Sequence, residues 1–219
     1  MRCKSKRVAA MMMMLVMGMS QNTAASVIQQ PEVVYYNQAD YPGEYYGSSS
    51  IQQAGCAPCA MAVCISTFTG EKISVPKLCD WAVENGYYYD GMGSSHYIIP
   101  AIAKEYGLNC KGIGTSREKM LEALYSGKLV VVLMGPGTFA SSGHFMVLTG
   151  IDQNGRISVA DVGSRANTAK TFSVDKIMEE LKDYSQADGP MWVISPKEEQ
   201  ELSGASQIAI ETLTQRYSE

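Results

Sequence analysis

The chain has 219 residues, of which 18 are basic and 22 acidic, with 46% hydrophobic residues and six cysteines. That length buries one substantial core and leaves no room for two full-sized domains at about 150 residues each. The acidic balance argues against nucleic acid or an anionic membrane as a partner.

Residues 1–25 read as an export signal. Arg2, Lys4, Lys6 and Arg7 form a basic start, residues 9–19 an apolar stretch, and Thr23-Ala24-Ala25 a small-residue cleavage site. The apolar stretch is shorter than the ~20 residues that span a bilayer. Its removal leaves 14 basic against 22 acidic residues, a formal charge near −8. The remaining domain is expected over residues 26–195, outside the cell or at its surface, with no membrane contact beyond the signal. Five cysteines stay with it: Cys56, Cys59, Cys64, Cys79 and Cys110. An odd number implies at least one free thiol; the others fit either two disulfides or buried free cysteines.

Residues 31–54 are rich in Tyr, Gly, Ser and Gln without a sustained period, which suits an irregular segment wrapping a surface. From residue 57 the pattern turns helical, with Pro58 near the first helical position, apolar residues through Phe68 and Gly70 placed to end it. Residues 76–84, 97–106 and 116–125 predict three more helices, the last starting at Ser116 without the acidic member of a capping box. The second half changes period. Residues 129–134 form an apolar run suited to a buried strand, and residues 145–151 and 156–160 flank Asp152-Gln153-Asn154-Gly155, a hairpin turn signal. Residues 192–194 predict another strand, and residues 196–219 a charged tail or surface helix. Helices first and an antiparallel sheet second is an α+β layout, expected as two layers with a cleft between them.

Cysteine attacks as thiolate, and the free N–H groups and dipole of a helix start favour that form. Cys56 is placed there, with Gly55 before it and small Ala57 after it giving a substrate room to approach the sulfur. Its partner must be an imidazole, and the chain has two. His96 lies in a polar loop, Gly93-Ser94-Ser95-His96-Tyr97, where a solvated surface role is the ordinary one. His144 follows Ser141-Ser142-Gly143 and opens an apolar strand. With residues 152–155 as a four-residue loop, Ile151 faces Arg156 and Met146 faces Asp161, so Asp161 becomes the diagonal neighbour of His144 on one face. An odd-length loop would break that alignment. For the oxyanion of an acyl transfer, Gln38, Gln52 and Gln53 are the available side-chain amides, and spacing alone does not choose among them.

These residues resemble a family. Gly55-Cys56-Ala57-Pro58, Ala60-Met61-Ala62 and Thr69-Gly70, then the run from Gly143-His144-Phe145 to Gly150-Ile151, then Val159-Ala160-Asp161, are similar to the bacterial papain-like peptidases related to the double-glycine leader peptidases of bacteriocin exporters. The resemblance covers roughly residues 33–195, and Tyr35-Tyr36-Asn37-Gln38 fits its secreted branch. It implies a papain-like fold, with a helix bearing the nucleophile packed on an antiparallel sheet. It implies Cys56 as nucleophile, His144 as base and Asp161 as its orienter, with no cofactor and no metal. The upstream Gln of the exporter enzymes falls on Ser50 here, so the resemblance to the secreted branch makes Gln38 the oxyanion donor. Ala57 stands where the family usually has Gly. The implied substrate is a peptide or protein, including cell-wall peptide.

Three rival readings use the same residues. Cys56-Ala57-Pro58-Cys59 has the dithiol spacing of thioredoxin-like oxidoreductases, although the polar residues 48–55 do not make the buried strand that leads into such a motif. Zinc at Cys56 and Cys59 lacks a second ligand pair. An inert binding module would use the many tyrosines of residues 35–46 and 87–89 as its surface.

Overall fold

The computed structural model describes residues 30–197 and 204–218, so the export signal expected over residues 1–25 lies outside the described residues. After a 3-10 turn at Gln38–Asp40, a short hairpin of β1 (Tyr45–Tyr46) and β2 (Ser49–Ser50) leads into α1 (Ile51–Ala54), α2 (Cys56–Thr69) and α3 (Val75–Glu84). A second small hairpin, β3 (Tyr88–Tyr89) with β4 (Gly93–Ser94), precedes α4 (Ile98–Glu105). Then follow β5 (Leu108–Gly114), α5 (Arg117–Tyr125), β6 (Leu129–Met134), β7 (His144–Ile151), β8 (Arg156–Ala160), α6 (Arg165–Thr168), β9 (Thr171–Ser173), α7 (Val174–Glu179), β10 (Met191–Pro196) and α8 (Gly204–Tyr217). All four helices expected over residues 57–125 are present. No described helix is long and apolar enough to cross a membrane.

One antiparallel sheet of six strands, in the order β5-β10-β6-β7-β8-β9, organises the molecule. Two strands in it lie outside the expected set. β5 carries Asn109, Lys111, Gly112 and Gly114, residues of low strand propensity, and as an edge strand it alternates between exposed and partly buried positions rather than forming an apolar run. β9 has three residues, too few to show a period.

The sheet is covered on both faces, which replaces the expected two layers with three. Val131, Leu133, Phe145, Val147, Trp192 and Ile194 join α2, α3 and α4 in one core. Val130, Val132, Met134, Met146, Leu148 and Ile157 join α5, α7 and α8 in the other. Burial on both faces is the physical reason residues 129–134 read as a continuous apolar run.

α2 is apolar all round because it is the central helix of its layer: residues 57–66 are all buried. It ends at Gly70, whose left-handed φ of 73° lets its N–H close on Ser66 O at 3.0 Å. Its first residue is Cys56, so the thiol stands at the start of the helix that packs on β7, an inner strand of the sheet.

Candidate active site

Gly55 separates α1 from α2 with φ −83° and ψ 16°, a conformation open to any residue. Its smallness answers to crowding on the inner side. A Cβ there would lie 2.7 Å from both the side chain and the carbonyl oxygen of Ile51. The expected service of Gly55, room for substrate, is therefore replaced by close packing of the turn that delivers Cys56.

The β7–β8 hairpin brings His144 to Asp161 by a route the sequence did not show. Asp152 N–H donates to Arg156 O at 3.0 Å, and the ladder pairs Ile151 with Ile157 and Gly150 with Ser158. The loop is thus a three-residue one, with Gly155 at φ 71° in its left-handed position. That odd length alone would turn His144 and Asp161 to opposite faces. A β-bulge between Leu148 and Gly150 restores the parity by leaving Thr149 out of the ladder, so Leu148 pairs with Val159 and Val147 with Ala160. His144 Nε2–H then donates to Asp161 Oδ1 at 2.8 Å.

Asp161 is 1% exposed, and each of its groups has a partner. Oδ1 also accepts from Gly163 N–H at 3.0 Å, and Oδ2 accepts from Asn167 Nδ2 at 2.8 Å. Its own N–H donates to Thr168 Oγ1 at 3.0 Å, and its carbonyl accepts from Tyr35 O–H at 2.7 Å. Burial works to raise its pKa, but the hydrogen bonds from His144 and Asn167, the His144 charge and Gly163 N–H together hold it below the usual carboxylate range. Asn167, Gly163 and Thr168 went unread in the sequence, and Tyr35 was read there without its bond to Asp161. The available signal was Ser164, whose side chain caps Asn167 N–H and so starts a helix that carries Asn167 and Thr168 back over Asp161.

While Asp161 holds Nε2, the imidazole also interacts with the Cys56 thiol, and each shifts the proton affinity of the other. Burial pushes the thiol up; the hydrogen bond and charge of His144, then the N–H groups of Phe145 and Ala57, outweigh it and bring Cys56 below the ordinary thiol range. Burial pushes His144 down, yet its bonds to Asp161 and Cys56 raise it to about 9. Both shifts act in the direction that favours a thiolate beside an imidazolium, and the apparent pKa values belong to the pair.

Gln38 is buried beside this constellation. Its backbone N–H donates to Val162 O at 2.8 Å, and its side-chain Nε2 donates to Ile51 O and Gln52 O, both at 3.1 Å. It ties the end of β8 to the turn before Cys56, and in this arrangement neither amide N–H is left for an oxyanion. Gln53, by contrast, lines the open cleft.

That cleft, about 570 Å³, runs past Cys56 between Gln53 and Ala54 on one side, residues 91–94 above, and Ser142, Gly143 and Phe145 on the sheet side. His96 is part of its wall rather than solvated surface. His96 Nδ1 accepts from Gln186 N–H at 2.9 Å, its ring meets Phe145 edge-on, and burial and the Lys182 charge keep its pKa low. The remaining thiols are free, and burial pushes Cys59, Cys64, Cys79 and Cys110 up, the last two to about 12. Cys59 is fully buried, a poor partner for a redox dithiol.

The segment that carries His144 is braced from below. Glu180 O accepts from Gly135 N–H at 2.6 Å, and its carboxylate accepts from Thr138 N–H at 2.7 Å and Thr138 O–H at 2.8 Å. A Cβ on Gly137 would strike the Glu180 carboxyl carbon at 2.3 Å, so that glycine is what lets the loop lie down on its brace.

Comparison with known proteins places the chain in a family. A model described as Peptidase_C39 like family matches residues 30–190. Among solved structures, the peptidase domain of Streptococcus ComA, a bi-functional ABC transporter, is 16% identical over 66% of this chain and 93% of its own, with a TM-score of 0.48. A double glycine motif protease from an AMS/PCAT transporter, in complex with the leader peptide, is 14% identical over 78% of this chain and 96% of its own, with a TM-score of 0.49. No curated protein matches. With the family model covering most of the chain, this protein belongs to the Peptidase_C39 like family and is a cysteine peptidase.

Proposed function

We propose that this protein is a secreted peptidase that hydrolyses peptide bonds through Cys56, His144 and Asp161 by way of a thioester. The observation that carries the reading is the 2.8 Å bond from His144 Nε2 to Asp161, on a ring that also interacts with the Cys56 thiol at the start of α2. The Cys56 thiolate adds to the peptide carbonyl. His144 gives its proton to the leaving amine as the tetrahedral intermediate collapses to the thioester. Water, deprotonated by His144, then attacks the thioester, and the thiolate leaves with the new carboxylate released. Asp161 keeps the ring oriented and its cation stabilised throughout.

The oxyanion receives the Cys56 main-chain N–H, which a helix start leaves without an intrahelical partner. Gln38 adds the second donor when substrate draws its Nε2 from Gln52 O, a bond at the long end of the range. Removing such a donor costs about 10²–10³ in kcat. A loss of that size in Gln53→Ala, with Gln38→Ala near wild type, would transfer the role to Gln53.

The basic and apolar start of the sequence supports secretion, and mass spectrometry of the exported protein is expected to find a new N-terminus near residue 26. Incubation with a peptide library and with purified peptidoglycan, comparing wild type with Cys56→Ala by mass spectrometry, tests the activity and separates a general peptidase from a cell-wall one. No product from either substrate would leave a binding module on a peptidase fold.

A further inference from the structure

We infer that Lys182 is a specificity residue of the Cys56 cleft and selects ligands that carry a carboxylate. Lys182 lines the cleft with Cys56, and the other lining side chains are neutral or His96; no Asp or Glu is among them. Its main chain is fixed, because Lys182 N–H donates to Leu133 O at 2.9 Å and Leu181 next to it bridges to Met134. Its side chain is half-buried and Nζ donates to Ser142 O at 2.9 Å, two residues before His144, which leaves two of its three N–H donors open. Asp183, the next residue in sequence, makes no ion pair with Lys182 among the described residues, and Glu180, two residues before it, is engaged with Thr138 and Lys176 instead. The charge is felt inside the cleft, since it lowers the pKa of His96 across the wall.

A preformed, half-buried cation with no carboxylate partner among the described residues is a ready counter-charge for a carboxylate close to the scissile bond. The acidic surface of the rest of the molecule does not cancel it. At physiological salt, charges beyond about 8 Å are screened, whereas a group held in the cleft meets Lys182 directly. Two sources supply that chemistry, an Asp or Glu side chain near the cut and a chain-terminal carboxylate.

The inference rests on the peptidase reading for its substrate, but its first test does not need turnover. Alkylation of Cys56 by iodoacetate and by iodoacetamide is followed in wild type, Lys182→Met and Lys182→Arg. The iodoacetate-to-iodoacetamide rate ratio is expected to fall about threefold or more in Lys182→Met and to stay near wild type in Lys182→Arg, in keeping with the modest worth of a partly exposed ion pair. Labelling confined to Cys56 shows that each variant is folded, because unfolding would expose all five thiols. The second test uses quenched-fluorescent peptides paired Glu against Gln within three residues of the scissile bond, with amidated ends, and neutral peptides paired free acid against amide. Wild type is expected to favour one of the acidic sets by about fivefold in kcat/KM, the preference vanishing in Lys182→Met and reversing in Lys182→Glu. An alkylation ratio unchanged by Lys182→Met, or peptides cut without regard to Lys182, overturns the inference. A shifted ratio with no peptide cut would instead sink the peptidase reading and leave the anion site standing.

Discussion

At the scale of single residues, the proposed chemistry depends on one imidazole shared between a carboxylate and a thiol. Each bond shifts the proton affinity of its neighbours. Asp161 and Cys56 raise His144 to about 9 and His144 lowers Cys56, so the competent form, thiolate beside imidazolium, exists in a window. As pH rises through the depressed pKa of Cys56 the nucleophile forms, and as it rises through about 9 the proton needed by the leaving amine is lost. The kcat/KM profile is therefore expected to be a bell with its acid limb below the ordinary thiol range and its alkaline limb near 9. Removing the thiol removes one of the two causes that hold His144 up. Imidazole titration by NMR should find His144 below 9 in Cys56→Ala, and an unchanged value would refute the thiol contact. His144→Ala is expected to abolish turnover while His96→Ala, whose Nδ1 serves Gln186, retains most of it.

Gly163 adds a steric condition at the same scale. A Cβ at this position would sit 3.1 Å from His144 Cε1, tighter than most such contacts, and at an ordinary 3.5 Å from Asp161 Oδ1. In Gly163→Ala the ring must shift by a few tenths of an ångström. The expected outcome is a fall in kcat of about tenfold with a small change in stability, since misplacement on an ångström scale costs catalysis far more than folding. Unchanged kcat would show that the ring has slack.

At the scale of elements, the helix bearing Cys56, the strand bearing His144 and the strand that ends just before Asp161 were legible because their signals are local: Pro58 and Gly70 bound one, and an apolar run with a turn marks the others. The alignment of His144 with Asp161 was legible in outcome but not in cause. Counting a four-residue loop gave the right pairing beyond Leu148 because the three-residue loop and the bulge at Thr149 each shift the register by one and cancel. Bulges carry no composition signal in a strand as apolar as β7. Likewise Glu180, Asn167 and Lys182 act through contacts made across the fold, which no spacing in the chain announces.

Glu180 is the element-scale device most open to test. Its hydrogen bonds to Thr138 hold it below the usual carboxylate range and fix the loop of residues 135–143 that ends at His144. Glu180→Ala leaves the Thr138 N–H without its acceptor and frees the loop. Activity is expected to drop by about tenfold or more while Glu180→Gln, which keeps an acceptor oxygen, recovers part of it. Equal loss in both variants would mean that the charge matters and the brace does not.

At the scale of the whole molecule, the sheet is the partition between two cores, and the cleft lies at the margin of one of them. Trp192, at 0% exposure, lies on the cleft side of β10, packs against Phe145 with ring centroids 6.0 Å apart, and donates Nε1–H to Ala187 O at 2.6 Å. It crowds Gly189 so closely that a Cβ there would lie 2.1 Å from its ring. Trp192→Ala opens a large void between α2 and the sheet, and its cost is expected at about 3–5 kcal/mol in urea denaturation. Phe145, the next residue after His144 and the donor of an N–H to the Cys56 sulfur, then loses its backing. Trp192→Phe refills most of the void without the indole N–H. It should recover most of the stability, leaving a deficit of about 1 kcal/mol for the lost hydrogen bond, and with it the alkylation rate of Cys56. On the opposite face Ile210, also buried, belongs to the second core, so Ile210→Ala should cost stability of about 2–5 kcal/mol while leaving Cys56 reactivity per folded molecule unchanged. A parallel loss of Cys56 reactivity in Ile210→Ala would show that the sheet transmits packing defects rather than separating them.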